Sequence, residues 1–135
     1  MLGRRGFLGG SLLVGGAALL AGGAKAQAGV KCQAGLSYSK DDPGRWAGKE
    51  GSHAPKVTVS GRKVTIVTPH PMSAAHYIVK HTLLDGAGNL LGEKTFANSD
   101  TSAESWYDLP VAFKGPLIAT SFCNLHDLWV TEAAV

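Results

Sequence analysis

The stretch Lys56-Val-Thr-Val-Ser-Gly-Arg-Lys-Val-Thr-Ile-Val-Thr68 decides the fold. Its β-branched residues alternate with polar ones on both sides of Ser60-Gly61, which is the pattern of two strands joined by a tight turn. The sequence therefore predicts a β-hairpin at this point.

Further short β-prone segments follow along the chain. They are residues 77–84, 90–96, 105–109, 117–122 and 128–131. The turn Asp85-Gly-Ala-Gly-Asn89 separates two of them, and no stretch has the 3.6-residue period of a helix. Short strands at regular spacing are typical of a β-sandwich. We therefore expect an all-β fold, an antiparallel β-sandwich of about seven strands.

The first 28 residues have the organisation of an export signal. Arg4 and Arg5 precede an apolar stretch rich in glycine and alanine, which ends at the small-residue sequence Ala26-Gln-Ala28. The arginine pair followed by Phe7-Leu8 resembles a twin-arginine signal. We expect export to the periplasm and removal of residues 1–28. The apolar stretch is too short and too rich in glycine to favour a membrane anchor.

Cleavage after Ala28 would remove the charge excess of the chain. The sequence has 13 Lys and Arg against 10 Asp and Glu, and the leader holds three of the basic residues and no acidic one. The mature domain therefore carries 10 charges of each sign and is neutral overall. This balance argues against nucleic acid and against an anionic membrane surface as partners.

The segment between the leader and the first strand differs from the rest in composition. Residues 29–55 are polar and rich in glycine, with Asp42-Pro-Gly44 as a turn, so they are expected to be irregular. We treat residues 29–47 as an N-terminal arm and residues 48–135 as the folded domain.

Histidines and one cysteine occur where a β-sandwich has its loops. Four of the five histidines are predicted in loops or at strand ends: His53, His70, His76 and His126. Cys123 lies three residues before the last of them. Imidazole and thiolate are common metal ligands, and a rigid sandwich can bring loop side chains together at one edge. The pattern therefore indicates a metal site, whereas His81, inside a strand, is expected to be a surface or hydrogen-bonded residue and not a ligand.

Two of these segments closely resemble the superoxide reductase family, which includes neelaredoxin and the catalytic domain of desulfoferrodoxin. They are His70-Pro-Met-Ser-Ala-Ala-His-Tyr-Ile78 and Cys123-Asn-Leu-His126-x-x-Trp129, and Ser52-His53-Ala-Pro55 is similar to the first ligand motif of the family. The resemblance covers roughly residues 48–130. It implies an immunoglobulin-like sandwich with one iron, Fe²⁺ or Fe³⁺, per chain. The implied ligands are four equatorial imidazoles and one axial thiolate, from His53, His70, His76, His126 and Cys123.

The resemblance also implies an enzyme that reduces superoxide by one electron to hydrogen peroxide, with electrons from a donor protein that the sequence does not identify. A homo-oligomer is compatible with it. The family usually has Glu-Lys directly before the first histidine ligand, but Gly51 and Ser52 precede His53 here. Lys49 and Glu50, one residue further away and in reversed order, are the candidate catalytic residues. The alternative is that both are solvated loop charges.

Three other functions are consistent with parts of the pattern. The altered lysine position suggests a non-catalytic iron-binding or electron-transfer member of the same family. A blue-copper carrier would also be an exported sandwich with a Cys–His loop, but Met72 is the only methionine after the leader and none follows His126. A plain binding module closed by a Cys32–Cys123 disulfide is the third, because paired cysteines are common in exported proteins.

Overall fold

The computed structural model describes residues 32–135, so the predicted export signal of residues 1–28 lies outside the described residues. The described part contains eight strands, a 3₁₀ turn at Gly44–Trp46 and one short helix, α1, at Glu50–His53. The strands are β1 (Ser37–Tyr38), β2 (Lys56–Ser60), β3 (Lys63–Thr68), β4 (Ile78–Asp85), β5 (Leu90–Thr95), β6 (Ala103–Asp108), β7 (Pro116–Cys123) and β8 (Asp127–Ala134).

The strands form two sheets that face each other. One has five strands in the order β1-β8-β7-β4-β5, and the other has three in the order β2-β3-β6. All neighbouring pairs are antiparallel except β1 with β8, which is parallel. The predicted all-β sandwich is therefore confirmed, and the seven predicted strands correspond to β2–β8.

The hairpin of β2 and β3 is formed as the alternation predicts. Ser60 pairs with Lys63 across a two-residue turn, and Gly61 in that turn has a φ of 58°, a conformation that glycine adopts without steric cost. Val64 and Ile66 on β3 are fully buried. Burial of each such side chain contributes about 1.5–3 kcal/mol to stability, which fixes the register of the hairpin.

Among residues 32–135, the buried hydrophobic residues form three clusters. The largest contains Val64, Ile66, Leu83, Leu109, Leu117 and Ala119. A second cluster contains Cys123 with Ile78, Phe96 and Ala103, and a third joins Trp129 to Tyr38 and Ala54. The last two clusters therefore extend the core to the segments that carry the predicted ligands.

Residues 29–55 were expected to be irregular, and this prediction is wrong for part of the segment. Tyr38 in β1 pairs with Trp129 of β8, and its side chain is only 3% exposed. Its ring packs against those of Trp129 and Trp46, with centroids 5.8 Å and 6.5 Å away. Burial of these aromatic rings stabilises β1 and the 3₁₀ turn although the surrounding sequence is polar and rich in glycine.

His81 lies in a buried hydrogen-bonded network between the two sheets. Its Nε2 is 2.8 Å from Thr68 Oγ1, and its Nδ1 is 2.9 Å from Ser105 Oγ. Thr68 also donates to Ser121 Oγ at 2.7 Å. The network joins β3 and β6 of one sheet to β4 and β7 of the other, so His81 is a buried hydrogen-bonded residue and lies outside the donor cluster.

Between residues 32 and 135, no helix has the length and apolar character needed to span a membrane.

Candidate metal centre

Five metal-binding side chains converge at one end of the sandwich. One donor atom from each of them lies within 4.8 Å of every other, and the five residues are His53, His70, His76, Cys123 and His126. These are the five residues proposed as ligands from the sequence. His81 lies elsewhere, in the interior network.

The first histidine is placed by α1. His53 is the last residue of this one-turn helix, directly before Ala54 and Pro55, and it is 3% exposed. Its Nδ1 lies 2.8 Å from Ser52 Oγ and 3.2 Å from the Lys49 carbonyl. These contacts on Nδ1 leave Nε2 directed at the other histidines.

The second and third histidines come from the loop between β3 and β4. The His70 N–H donates to the Thr68 carbonyl at 2.7 Å, and the Ser73 N–H donates to the His76 carbonyl at 3.0 Å. The His76 N–H donates in return to Ser73 Oγ at 3.1 Å. This closed turn places both imidazoles on the same side of the loop, where their Nε2 atoms are 2.9 Å apart.

The turn between β7 and β8 supplies the remaining two donors. Cys123 ends β7, and Asp127 opposite it begins β8. Asn124 fastens this turn to the neighbouring loop, because its Oδ1 accepts the Tyr77 N–H at 3.0 Å and its Nδ2 donates to the Ala75 carbonyl at 3.0 Å. The two loops that carry four of the five donors are therefore held together.

The spacing of the donor atoms fits one shared ion. Nitrogen ligands at right angles, with metal–nitrogen bonds of about 2.1 Å, lie about 3.0 Å apart. The nearest nitrogen pairs of the cluster have this spacing: His53 Nε2 to His126 Nδ1 at 3.0 Å, His126 Nδ1 to His76 Nε2 at 3.0 Å, and His76 Nε2 to His70 Nε2 at 2.9 Å. Cys123 Sγ lies 3.5 Å from His126 Nδ1 and 4.0 Å from His70 Nε2.

Hydrogen bonding alone does not account for these contacts. His126 Nδ1 and His76 Nε2 each face two other nitrogens. A nitrogen of a neutral imidazole carries at most one hydrogen, and one N–H cannot make a linear bond in two directions. The converging lone pairs are therefore better satisfied by a cation, and four imidazoles with one thiolate suit iron, copper or zinc.

Burial favours the neutral, metal-binding form of three of the imidazoles. It lowers the pKa of His53 to about 4, and the neighbouring His70 and His126 add to this shift. Burial also lowers the pKa of His70 and, with help from the Lys49 charge, that of His126. Burial raises the pKa of the Cys123 thiol, although the N–H groups of Leu125 and His126 oppose the shift. A bound cation would instead lower the pKa of the Cys123 thiol, because the thiolate is the form that binds a metal.

The structure separates the two candidate catalytic residues. The Lys49 charge lies near enough to add to the lowering of the pKa values of His70 and His126 and to oppose the rise in the pKa of Cys123. Both carboxylate oxygens of Glu50 instead accept the Gly48 N–H at 3.0 Å, and this side chain lines a separate cleft of about 710 Å³. The charge of Lys49 is therefore felt at the cluster, whereas the Glu50 carboxylate makes a local hydrogen bond to Gly48.

The two cysteines do not pair. Both thiols are free, Cys123 buried and Cys32 half-buried. Cys32 lines the cleft that also contains Glu50, and Cys123 faces the histidines. The alternative of a binding module closed by a Cys32–Cys123 disulfide is therefore wrong for this fold.

Three residues beside the cluster were not found from the sequence. The ring of Trp46 packs edge-on against that of His126, with centroids 4.7 Å apart, and Asp127 accepts from both Trp46 and Arg45. No short motif contains all three. The only local signal is that Asp127 follows a proposed ligand at the point where the chain turns from β7 into β8.

Comparison with known proteins agrees with this geometry. The family model described as Desulfoferrodoxin matches residues 46–132, which contain all five donors. A search of curated protein sequences gave no significant match.

Several solved superoxide reductases have a similar fold. The superoxide reductase (neelaredoxin) from Ignicoccus hospitalis is 28% identical, with a TM-score of 0.63 over 78% of this chain and 98% of its own. The enzyme from Nanoarchaeum equitans is 27% identical, with a TM-score of 0.54 over 63% of this chain and 94% of its own. The superoxide reductase (1Fe-SOR) from Giardia intestinalis is 25% identical, with a TM-score of 0.55 over 62% of this chain and 98% of its own.

Proposed function

Because the chain belongs to the desulfoferrodoxin family, we propose that it is a superoxide reductase with one iron bound by His53, His70, His76, His126 and Cys123. The observation that carries the proposal is the convergence of these five donor atoms within 4.8 Å. The reaction consumes superoxide, one electron and two protons, and it releases hydrogen peroxide.

Iron at this donor set would supply the single electron and would then be returned to the ferrous form by an external donor. The protein residues contribute binding and shielding. His53, His70 and Cys123 are buried, whereas His76 and His126 are half-exposed. A small anion therefore has access to the ion from the side of the two half-exposed histidines.

Lys49 supports the use of superoxide as the substrate. Its positive charge acts on three of the five donors, and four neutral imidazoles with one thiolate leave a ferrous site with a net charge of +1. Both charges attract a small anion. The Lys49 ammonium is also a donor that can hydrogen-bond the incoming anion or deliver a proton to it.

The experiment that tests this function is rapid mixing of the ferrous protein with superoxide. We expect a fast bimolecular oxidation with one equivalent of hydrogen peroxide formed and no oxygen released. The matched control is Cys123→Ala, which removes one donor. Slow bleaching of the ferrous absorption with no peroxide would contradict the proposal.

A second function within the same family is favoured by one observation. Glu50 is held by the Gly48 amide, and the positions directly before His53 are Gly51 and Ser52. A family member that exchanges electrons at its iron without reducing superoxide would not need a glutamate and a lysine directly before the first histidine ligand. The rapid-mixing experiment separates the two, since such a protein would be reduced and oxidised reversibly but would not form peroxide. A blue-copper site is disfavoured, because four imidazoles converge where that class uses two.

The cellular location is proposed from the leader. Arg4, Arg5 and the Ala26-Gln-Ala28 sequence support export by the twin-arginine route to the periplasm. That route carries folded proteins, so iron would be bound before export. Comparing the location of the full chain with that of an Arg4→Lys, Arg5→Lys variant tests the proposal, and unchanged export would contradict it.

A further inference from the structure

A short segment before α1 lies against the turn that carries Cys123 and His126. Trp46, at the end of the 3₁₀ turn, packs its ring edge-on against the His126 imidazole, with centroids 4.7 Å apart and planes at 89°. The Trp46 indole N–H donates to Asp127 Oδ2 at 3.0 Å. The same side chain therefore contacts a proposed ligand and holds the residue that follows it.

Asp127 has an unusual backbone conformation for this role. Its φ is 63°, in the left-handed region that is less favourable for other residues than for glycine. Glycine would remove that cost, but it could not make the two contacts that Asp127 makes, with Trp46 and with Arg45. An aspartate at this position is thus explained by what its carboxylate holds.

Arg45 completes the contact from the N-terminal side. It forms an ion pair with Asp127, and its guanidinium lies over the rings of Trp46 and Tyr38, at 5.1 Å and 5.8 Å. An exposed ion pair alone contributes little to stability. Its importance here is geometric, because the planar guanidinium is fixed on two rings and in turn orients the carboxylate.

We propose that Arg45, Trp46 and Asp127 form a clamp that positions His126 for metal binding. The inference rests on the proposed function, in which His126 is an iron ligand. The His126 carbonyl also accepts the Trp129 indole N–H at 3.0 Å, so the ring and the backbone of this residue are both held in place. Nδ1 is thereby kept facing His53 and His76.

The clamp has two separable effects on the site. Its packing restricts the half-exposed His126 ring, and loss of such a supporting contact typically weakens metal binding about 10- to 100-fold. The Asp127 carboxylate also places a negative charge beside the ion. That charge favours the ferric form over the ferrous form.

The first test measures metal affinity with Co²⁺ alone, added to the metal-free protein and followed by thiolate-to-metal absorption. We expect Asp127→Gly and Trp46→Leu to bind about 10-fold or more weakly than wild type, and Asp127→Asn to lie between them and wild type. Trp106→Phe is the matched control, because this exposed tryptophan lies on β6. Wild-type affinity in Asp127→Gly would overturn the clamp. If the wild-type protein itself gave no thiolate-to-Co²⁺ absorption, the metal site of the proposed function would fail together with the clamp.

The second test distinguishes positioning from ordinary stabilisation. Metal-free Asp127→Gly should unfold at a temperature close to that of wild type, because relief of the backbone at φ 63° offsets the loss of an exposed ion pair and one hydrogen bond. An affinity loss matched by an equal loss of metal-free stability would overturn the proposal. In the iron-loaded protein, Asp127→Asn should have a more positive midpoint potential, and an unchanged potential would contradict an effect of the carboxylate on the ion.

Discussion

The buried position of His81 leads to a prediction about the stability of the protein in acid, and this prediction does not depend on any metal. His81 is fully buried, and its pKa is lowered to about 4 by burial and, to a smaller extent, by the Lys94 charge. In the unfolded chain the same imidazole titrates near pH 6.5. Between these two values the unfolded chain binds the proton more readily than the folded one. The stabilisation is therefore fully present above about pH 6.5 and is lost as the pH falls toward 4.

The size of the effect follows from the two pKa values. A difference of about 2.5 pH units corresponds to about 3 kcal/mol, and most of it would be lost by pH 4.5. This is a large fraction of the stability of a small domain, which is about 5–15 kcal/mol. Protonation would also force a second N–H toward the Ser105 hydroxyl, which now lies 2.9 Å from Nδ1.

The assay is urea unfolding of the metal-free protein at several values between pH 4.5 and 7.5, for wild type and His81→Gln. His53 and His70 also have lowered pKa values, so the wild-type curve alone sums several groups. The difference between the two proteins isolates His81, because glutamine can still hydrogen-bond Thr68 but does not titrate. We expect wild type to lose about 2–3 kcal/mol more than the variant over this range. Parallel curves would refute the reasoning.

Three further predictions concern the site and the fold. Cys123→Ala should abolish the visible thiolate-to-ferric absorption of the oxidised protein, whereas Cys32→Ala should leave it unchanged; loss of colour in both would contradict the proposed ligand set. Lys49→Met should slow the reaction with superoxide and reduce its dependence on ionic strength, measured by rapid mixing, whereas Glu50→Gln should leave the rate near wild type because Glu50 hydrogen-bonds to Gly48. Gly92→Ala should lower the free energy of unfolding by about 1–3 kcal/mol, because its Cβ would lie 2.3 Å from the Tyr107 ring; calorimetry showing an unchanged melting temperature would count against the packing of β5 on β6.

The strands of the sandwich could be predicted because each is specified by its own sequence. The alternation of Val57, Val59, Val64 and Ile66 defines both strands of the hairpin and the face that is buried. The two-residue β1 could not be predicted in this way. Its pairing with β8 joins Tyr38 to Trp129, and that contact between distant parts of the chain leaves no local pattern.

A metal site could be proposed from histidines and a cysteine in the loops of a sandwich, and the resemblance of their motifs to the superoxide reductase family implied the five donor residues. The residues that surround the donors could not be predicted from the sequence. The direction of Glu50 is set by the Gly48 amide, which is a matter of side-chain geometry. The contact of Trp46 and Arg45 with Asp127 spans about 80 residues of chain, and single aromatic and charged residues at such distances form no motif.

The origin of the donors in both sheets sets an order for assembly. His70 follows β3 of the three-stranded sheet, whereas Cys123 ends β7 of the five-stranded one. Neither sheet holds a complete donor set, so under the proposed function the ion would gain all five ligands only after the two have docked. A chain arrested with separated sheets would hold the ion by part of the donor set, and therefore more weakly.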